Sequence, residues 1–159
     1  MKLALTLLAL AALALAQSAP HAMLPDARIT PGVADPRVTQ ATIQQTICQA
    51  GYTATVRSVS TAEKKAVLHL YALPDNQLHL VEIDHFLSLE VGGSNDLKNL
   101  WPQYYSAAKG QTGYLGAREK DVVETWLHRQ VCAGKMTLAA AQAAIREWPQ
   151  WYVQIKGGK

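Results

Sequence analysis

The chain has little cysteine, modest charge and, beyond its first twenty residues, no long apolar run. Its two cysteines, Cys48 and Cys132, stand far apart and form no Cys-x-x-Cys pair. That excludes the common structural zinc modules. The formal net charge is +3, too small for bulk charge to identify a nucleic-acid partner; local clustering has to carry that argument. No zinc finger, helix-turn-helix or other base-reading module stands in the sequence. Internal repeats are absent too, which excludes solenoids and propellers. A length of 159 residues suits one domain with a single modest core.

What the chain does have begins at its start. "MKLALTLLALAALALAQSAP" has a basic Lys2, an apolar run over residues 3–16 and a small-x-small site at Ala14-Leu15-Ala16. This is the pattern of an export signal, cleaved before Gln17. The apolar run is shorter than the ~20 residues that span a bilayer. Cleavage would leave 159 − 16 = 143 residues and, without Lys2, a formal charge of 3 − 1 = +2. The expected location is periplasmic or extracellular, with no membrane attachment after cleavage. In an oxidising compartment Cys48 and Cys132 are expected to pair. The loop they close should contribute roughly 4 kcal/mol in the chain-entropy model.

Residues 17–40, rich in Ala, Pro, Asp, Gln and Thr without a period, read as a flexible leader, and residues 41–159 as the domain. "AGYTATVR" alternates β-branched and aromatic residues and reads as a short extended piece ending at Arg57. "STAEKKAVLHLYALPDN" reads as a helix, capped by Ser60 or Thr61 and ended by Pro74-Asp75-Asn76. "QLHLVEID" alternates like a strand. "VGGSND" is turn chemistry, with Asn95 and Asp96 as turn residues, and "LKNLWPQYY" is a second extended segment. The two would form a hairpin with a long connection. "AREKDVVETWLHRQVC" puts Val123, Leu127 and Val131 on one helical face, and Ala133-Gly134 ends it. "MTLAAAQAAIREW" is a further helix with Thr137 as cap. "PQWYVQIKGGK" reads as an aromatic tail that frays. The order helix, hairpin, helix, helix is α+β with very little sheet, and so small a hairpin needs a helix packed on it.

The chemistry concentrates in "EIDHFLSLEVGGSNDLKNLWPQ", residues 82–103. Neighbours on a strand point to opposite sides, so Asp84 and His85 are suited to separate tasks. An imidazole near neutrality can take a proton from water. A carboxylate is a hard oxygen ligand, suited to Mg²⁺, Mn²⁺ or Ca²⁺. A base and a metal together are what phosphodiester hydrolysis requires.

Asp84-His85, then Leu89-Glu90-Val91-Gly92-Gly93, then Asn99-Leu100-Trp101-Pro102 resembles the core motif of HNH endonucleases, in particular small exported bacterial HNH proteins. The resemblance extends through "ICQAGYTATVR" upstream and "KDVVETWLHRQVC" with "AQAAI" downstream, about Thr46 to Trp148. It implies a ββα-metal (HNH, His-Me finger) core: a short hairpin packed on a helix, with flanking helices. It implies His85 as general base and Asp84 as metal ligand. The Asn99 amide would tie the loop to the backbone near His85 and hold the imidazole in place, which makes it a catalytic partner of His85. Gly92 and Gly93 would permit the turn, one of them with positive φ, and Trp101 would pack the hairpin on the following helix. The cofactor implied is one divalent ion, Mg²⁺ first, with Mn²⁺, Ca²⁺ and Zn²⁺ as alternatives. Arg57, Lys98 and Lys120 flank the motif and are expected near phosphate.

The family's third site residue, a His or Asn on the helix after the hairpin, has no counterpart at the helix start. Asp121, Glu124 and His128 share a helical face. Asp121 is the first expectation for the missing ligand, Glu124 the second and His128 the third. The same carboxylates also suit ordinary roles, at a helix N-terminus or as i,i+4 partners of Lys120 and its neighbours. Glu90 reads as structural. The function implied is an exported metal-dependent endonuclease acting on DNA, with RNA left open, little sequence preference and no obligate protein partner. The alternative is a nucleic-acid-binding or uptake accessory protein on the same fold with an impaired site.

Overall fold

A computed structural model describes residues 22–105 and 114–157; the export segment, residues 1–16, lies outside the described residues. The elements are α1 (Tyr52–Val56), α2 (Thr61–Leu70), β1 (Val81–His85), β2 (Leu100–Tyr104), α3 (Ala117–Cys132), α4 (Leu138–Arg146) and α5 (Trp148–Gly157). The chain is α+β. Among the described residues no helix is long and apolar enough to cross a membrane.

β1 and β2 pair antiparallel, with Val81 opposite Tyr104 and His85 opposite Leu100. The two faces of this hairpin differ in kind. Val81, Ile83 and Leu100 bury against Val67 and Leu68 of α2. Glu82 and Asp84, opposite Gln103 and Trp101, belong to the other face by the two-residue period of a strand. That face meets α3, where Lys120 Nζ lies 2.7 Å from Asp84 Oδ2. Trp101 is fully buried. A second cluster joins Val38, Ile43 and Ile47 to Leu87 and Val91, and to the apolar face of α3, Val123, Leu127 and Val131. Leu138, Ala141 and Ile145 of α4 and Trp148 of α5 complete it.

Cys48 and Cys132 form the expected disulfide, with Cα atoms 5.5 Å apart across 84 positions of sequence. It joins the segment before α1 to the last residue of α3. α2 begins with a capping box: Ser60 Oγ accepts from Glu63 N at 3.2 Å, and Glu63 Oε2 accepts from Ser60 N at 2.6 Å. Ser60→Ala should therefore lower stability by about 1 kcal/mol. Urea denaturation should show an earlier midpoint with an unchanged slope.

The strand read over "QLHLVEID" is confined to β1, because Asp75–Leu80 before it is a 3₁₀ helix. Three larger segments also depart from the sequence reading. "AGYTATVR" is helical over α1 rather than extended. Gly51, at φ 78°, turns the chain into it, Thr55 Oγ1 donates to Tyr52 O at 2.7 Å, and Tyr52 packs on the larger core cluster. These tertiary and local bonds override a β-leaning composition. The C-terminal segment is the helix α5, not a fraying tail, as far as Gly157. Trp148, Trp151, Tyr152 and Ile155 all bury or pack on the core, at the spacing of one helical face, and Pro149 is tolerated because it lies in the first turn.

The third departure is the leader. From residue 22 the chain is built into the domain. Thr30 is fully buried; its hydroxyl donates to Leu100 O at 2.9 Å and accepts from Tyr71 at 2.8 Å. Asp35 N donates to Gly92 O at 2.8 Å, and Ser94 N to Val33 O at 3.0 Å. Residues 30–38 thus strap the connection between the two strands. A period-free composition conceals this, because apart from the Thr30 hydroxyl these attachments run through backbone groups that any residue carries.

Candidate active site

The connection from β1 to β2 is held by one side chain. Asn99 is fully buried. Its Oδ1 accepts from Leu87 N at 2.9 Å and Val33 N at 3.2 Å, and its Nδ2 donates to Leu87 O at 2.9 Å and Ser94 O at 2.8 Å. The amide therefore ties the loop to the backbone two residues past His85, as the motif implied. Gly92 has φ 82°. Gly93 serves differently: a Cβ there would lie 1.7 Å from Leu87 O, so the loop backbone passes where no side chain fits.

His85 is almost fully buried at the end of β1. Its Nε2 lies 3.0 Å from Asn95 Oδ1, and its Nδ1 is buried with no hydrogen-bond partner. Burial holds the imidazole below its ordinary pKa; the bond from Asn95 and the charge of Asp84 oppose that. Burial thus favours the neutral ring, the form that can take a proton. His85, Asp84, Ser88, Glu90 and Glu124 line one cleft of ≈ 270 Å³, together with Arg57 and the adjoining residues of α1. Arg57, expected near phosphate, thus stands at this cleft; its guanidinium is 4.0 Å from Glu82 and half exposed.

Lys120 departs most from expectation. It was expected at a phosphate, but it is fully buried. Its Nζ lies 2.7 Å from Asp84 Oδ2, donates to His85 O at 2.9 Å, and pairs with Glu124 one turn along α3. Burial alone would lower its pKa; Asp84 and Glu124 outweigh that and hold it above the ordinary lysine value. Burial pushes Glu124 up to about 7, against the pull of the Lys120 ammonium. The i,i+4 pair was legible in the sequence. Its burial against a strand carboxylate was not, because that depends on how the hairpin docks on α3.

Glu124 is the helix carboxylate that shares the Lys120 ammonium with Asp84; burial, then the Asp84 charge, hold the Asp121 carboxyl above the ordinary range. Asp121 lines a separate groove with Val122, Trp126, Arg129 and Ile155. His128 is occupied otherwise: its Nε2 donates to Ile47 O at 2.8 Å, tying α3 to the segment before the disulfide. Lys98 is exposed and is not among the residues lining the cleft. Glu90 lines it, and burial pushes its carboxyl above the ordinary range.

Do these donors suit a divalent ion? Among the described residues no group of three or more His, Cys, Asp or Glu could hold a metal. Two carboxylates do converge, and the Lys120 ammonium marks a cation position between them. Two hard oxygens fit an ion such as Mg²⁺, which keeps several waters and completes its shell with substrate phosphate. The donor chemistry therefore fits, with Lys120 as competitor for the same oxygens. Asn95, which sequence reasoning left as a turn residue, is the site residue that was missed. An Asn in a Gly-Gly-Ser-Asn-Asp turn carries no mark that separates the two roles.

No family model, no curated protein and no solved structure matches the chain.

Proposed function

We propose that the chain is an exported, metal-dependent HNH endonuclease with a ββα-metal core, hydrolysing phosphodiesters in nucleic acid with little sequence preference. One observation carries the reading. A buried His85 with an unpartnered Nδ1 stands in a cleft beside two carboxylates gathered around one cation position. His85 takes a proton from water, and the hydroxide attacks phosphorus. The bond from phosphorus to the 3′ oxygen breaks, that oxygen takes a proton from solvent, and a 5′-phosphate end remains. Arg57 contributes positive charge to the phosphate at the mouth of the cleft. Asp84 and Glu124 would hold the divalent ion, which when bound supplies charge stabilisation to the phosphate and the leaving oxygen.

The test uses residues 17–159 purified in oxidising buffer with supercoiled plasmid, in EDTA and in Mg²⁺, Mn²⁺, Ca²⁺ or Zn²⁺. Cutting should require metal. His85→Ala should lose ~10²–10⁴ of the rate while keeping its fold by circular dichroism. An equally active His85→Ala protein would end the assignment.

The Lys120 ammonium between the two carboxylates favours a second reading, a nucleic-acid-binding or uptake protein on this fold whose site is impaired. Folded protein that binds DNA and cuts it in no metal would establish that reading instead.

A further inference from the structure

We infer that Asn95 is the positioning residue that holds His85 as its Nε2–H tautomer, leaving Nδ1 as the nitrogen with a free lone pair. The argument starts from Asn95 and not from the imidazole. An amide side chain has one accepting end and one donating end, and its neighbours decide which is which. Here both neighbours are backbone groups with fixed roles. Asn95 Nδ2 lies 2.7 Å from Val56 O, which only accepts. Asn95 Oδ1 lies 3.2 Å from Ser58 N, which only donates. Turning the amide over would set two donors against each other at Ser58 and two acceptors at Val56. The orientation is therefore determined by α1 and the residue beyond Arg57, independently of His85.

That orientation presents an oxygen to His85 Nε2 at 3.0 Å. An oxygen with no proton can only accept, so the ring must donate from Nε2. A neutral imidazole carries one proton, and Nδ1 is then bare. The surroundings of Nδ1 agree. It is buried with no hydrogen-bond partner, so the opposite tautomer would bury an N–H without an acceptor and turn a bare Nε2 toward the Asn95 oxygen. Both penalties act in one direction.

The consequence for chemistry rests on the nuclease reading; the tautomer itself does not. A general base needs its lone pair on the side of the reacting water, and a ring free to exchange tautomers offers it only part of the time. Asn95 also spans from the loop to the backbone on both sides of Arg57. It therefore sets the imidazole and the backbone of the cleft's arginine against each other through one side chain.

The direct test is the ¹⁵N spectrum of the full mature chain labelled at histidine, recorded well above the ordinary imidazole pKa. Loss of a resonance in His85→Gln assigns it. The expected result is a protonated Nε2 and an unprotonated Nδ1 for His85. In Asn95→Ala the two nitrogens should move toward the averaged values of exchanging tautomers. Asn95→Asp, which restores an acceptor, should return the Nε2–H form. Under the nuclease reading, Asn95→Ala should also lose about tenfold to a hundredfold in kcat with KM unchanged. A His85 protonated at Nδ1 in the unaltered protein overturns the inference, and that measurement needs no variant to fold. So does an Asn95→Ala protein that keeps the Nε2–H form in full. If the tautomer follows Asn95 but no form of the protein cuts nucleic acid, the inference stands and the nuclease reading falls.

Discussion

Gly93→Ala is expected to cost more than about 4 kcal/mol, enough to leave much of the chain unfolded at ambient temperature. The reason is contact with main chain. The added methyl would lie 1.7 Å from Leu87 O, 2.6 Å from Leu87 C and 3.0 Å from Asn99 Nδ2. The first two are main-chain atoms, and the third ends a side chain that hydrogen bonds to Leu87, Val33 and Ser94 hold in place. Leu87 O is also the acceptor of the Asn99 amide at 2.9 Å, so moving it away breaks the bond that holds the loop. The neighbouring glycine gives the control. Gly92 has φ 82°, and a methyl there meets Val38 Cγ1 at 2.8 Å and Val38 Cβ at 3.1 Å, a side chain rather than main chain. Gly92→Ala carries the left-handed backbone cost of roughly 1–2 kcal/mol plus that adjustment. Urea denaturation of both variants should rank Gly93→Ala as the more damaging. Equal losses would mean that backbone conformation, not space, is what the Gly-Gly pair supplies.

The same loop shows how far sequence carries. The motif was legible where its bonds stay within the loop, as Asn99 bonds Leu87 and Ser94 over a dozen residues or fewer. Asn99 ties the loop to the backbone as the motif implies, but the imidazole it was expected to hold meets Asn95 instead; Gly92 has the positive φ expected of one glycine. The boundaries of α3 are those read from "AREKDVVETWLHRQVC", because its apolar stripe is strict. α5 was legible by the same periodicity, yet its opening proline and aromatic composition favoured reading it as a tail. Residues 22–40 were not legible. Their attachments to Gly92 and Lys98 join backbone to backbone, and that to Leu100 runs from the Thr30 hydroxyl, each across more than fifty residues of sequence. Nor was the choice of Glu124 over Asp121. Both lie on the same side of α3 in a helical projection, and only the docking of β1 decides which one shares a cation with Asp84.

That shared cation gives the second large effect. Lys120→Met should destabilise the protein by ~3–5 kcal/mol, the cost of removing one partner from a buried ion pair. Methionine fills most of the space but supplies no donor. Asp84, Glu124 and the His85 carbonyl, which now all face one ammonium, would be left facing each other. The loss has a pH signature. Glu124 is already raised to about 7 by burial, and without Lys120 it rises further. A carboxyl raised above its unfolded value is stabilising in its neutral form, and that stability is lost as pH climbs through the folded value. The deficit of Lys120→Met should therefore be smallest in acid and widen above neutrality, as denaturation at several pH values in EDTA would show. Adding Mn²⁺ to the variant should recover part of the loss, because a divalent ion can take the position between the two carboxylates that the ammonium vacates. Recovery in Lys120→Met that exceeds any Mn²⁺ stabilisation of the unaltered chain would identify Asp84 and Glu124 as a cation site that Lys120 guards. No recovery, in a variant destabilised as expected, would leave the pair a purely structural ion cluster and move the weight to the nucleic-acid-binding reading.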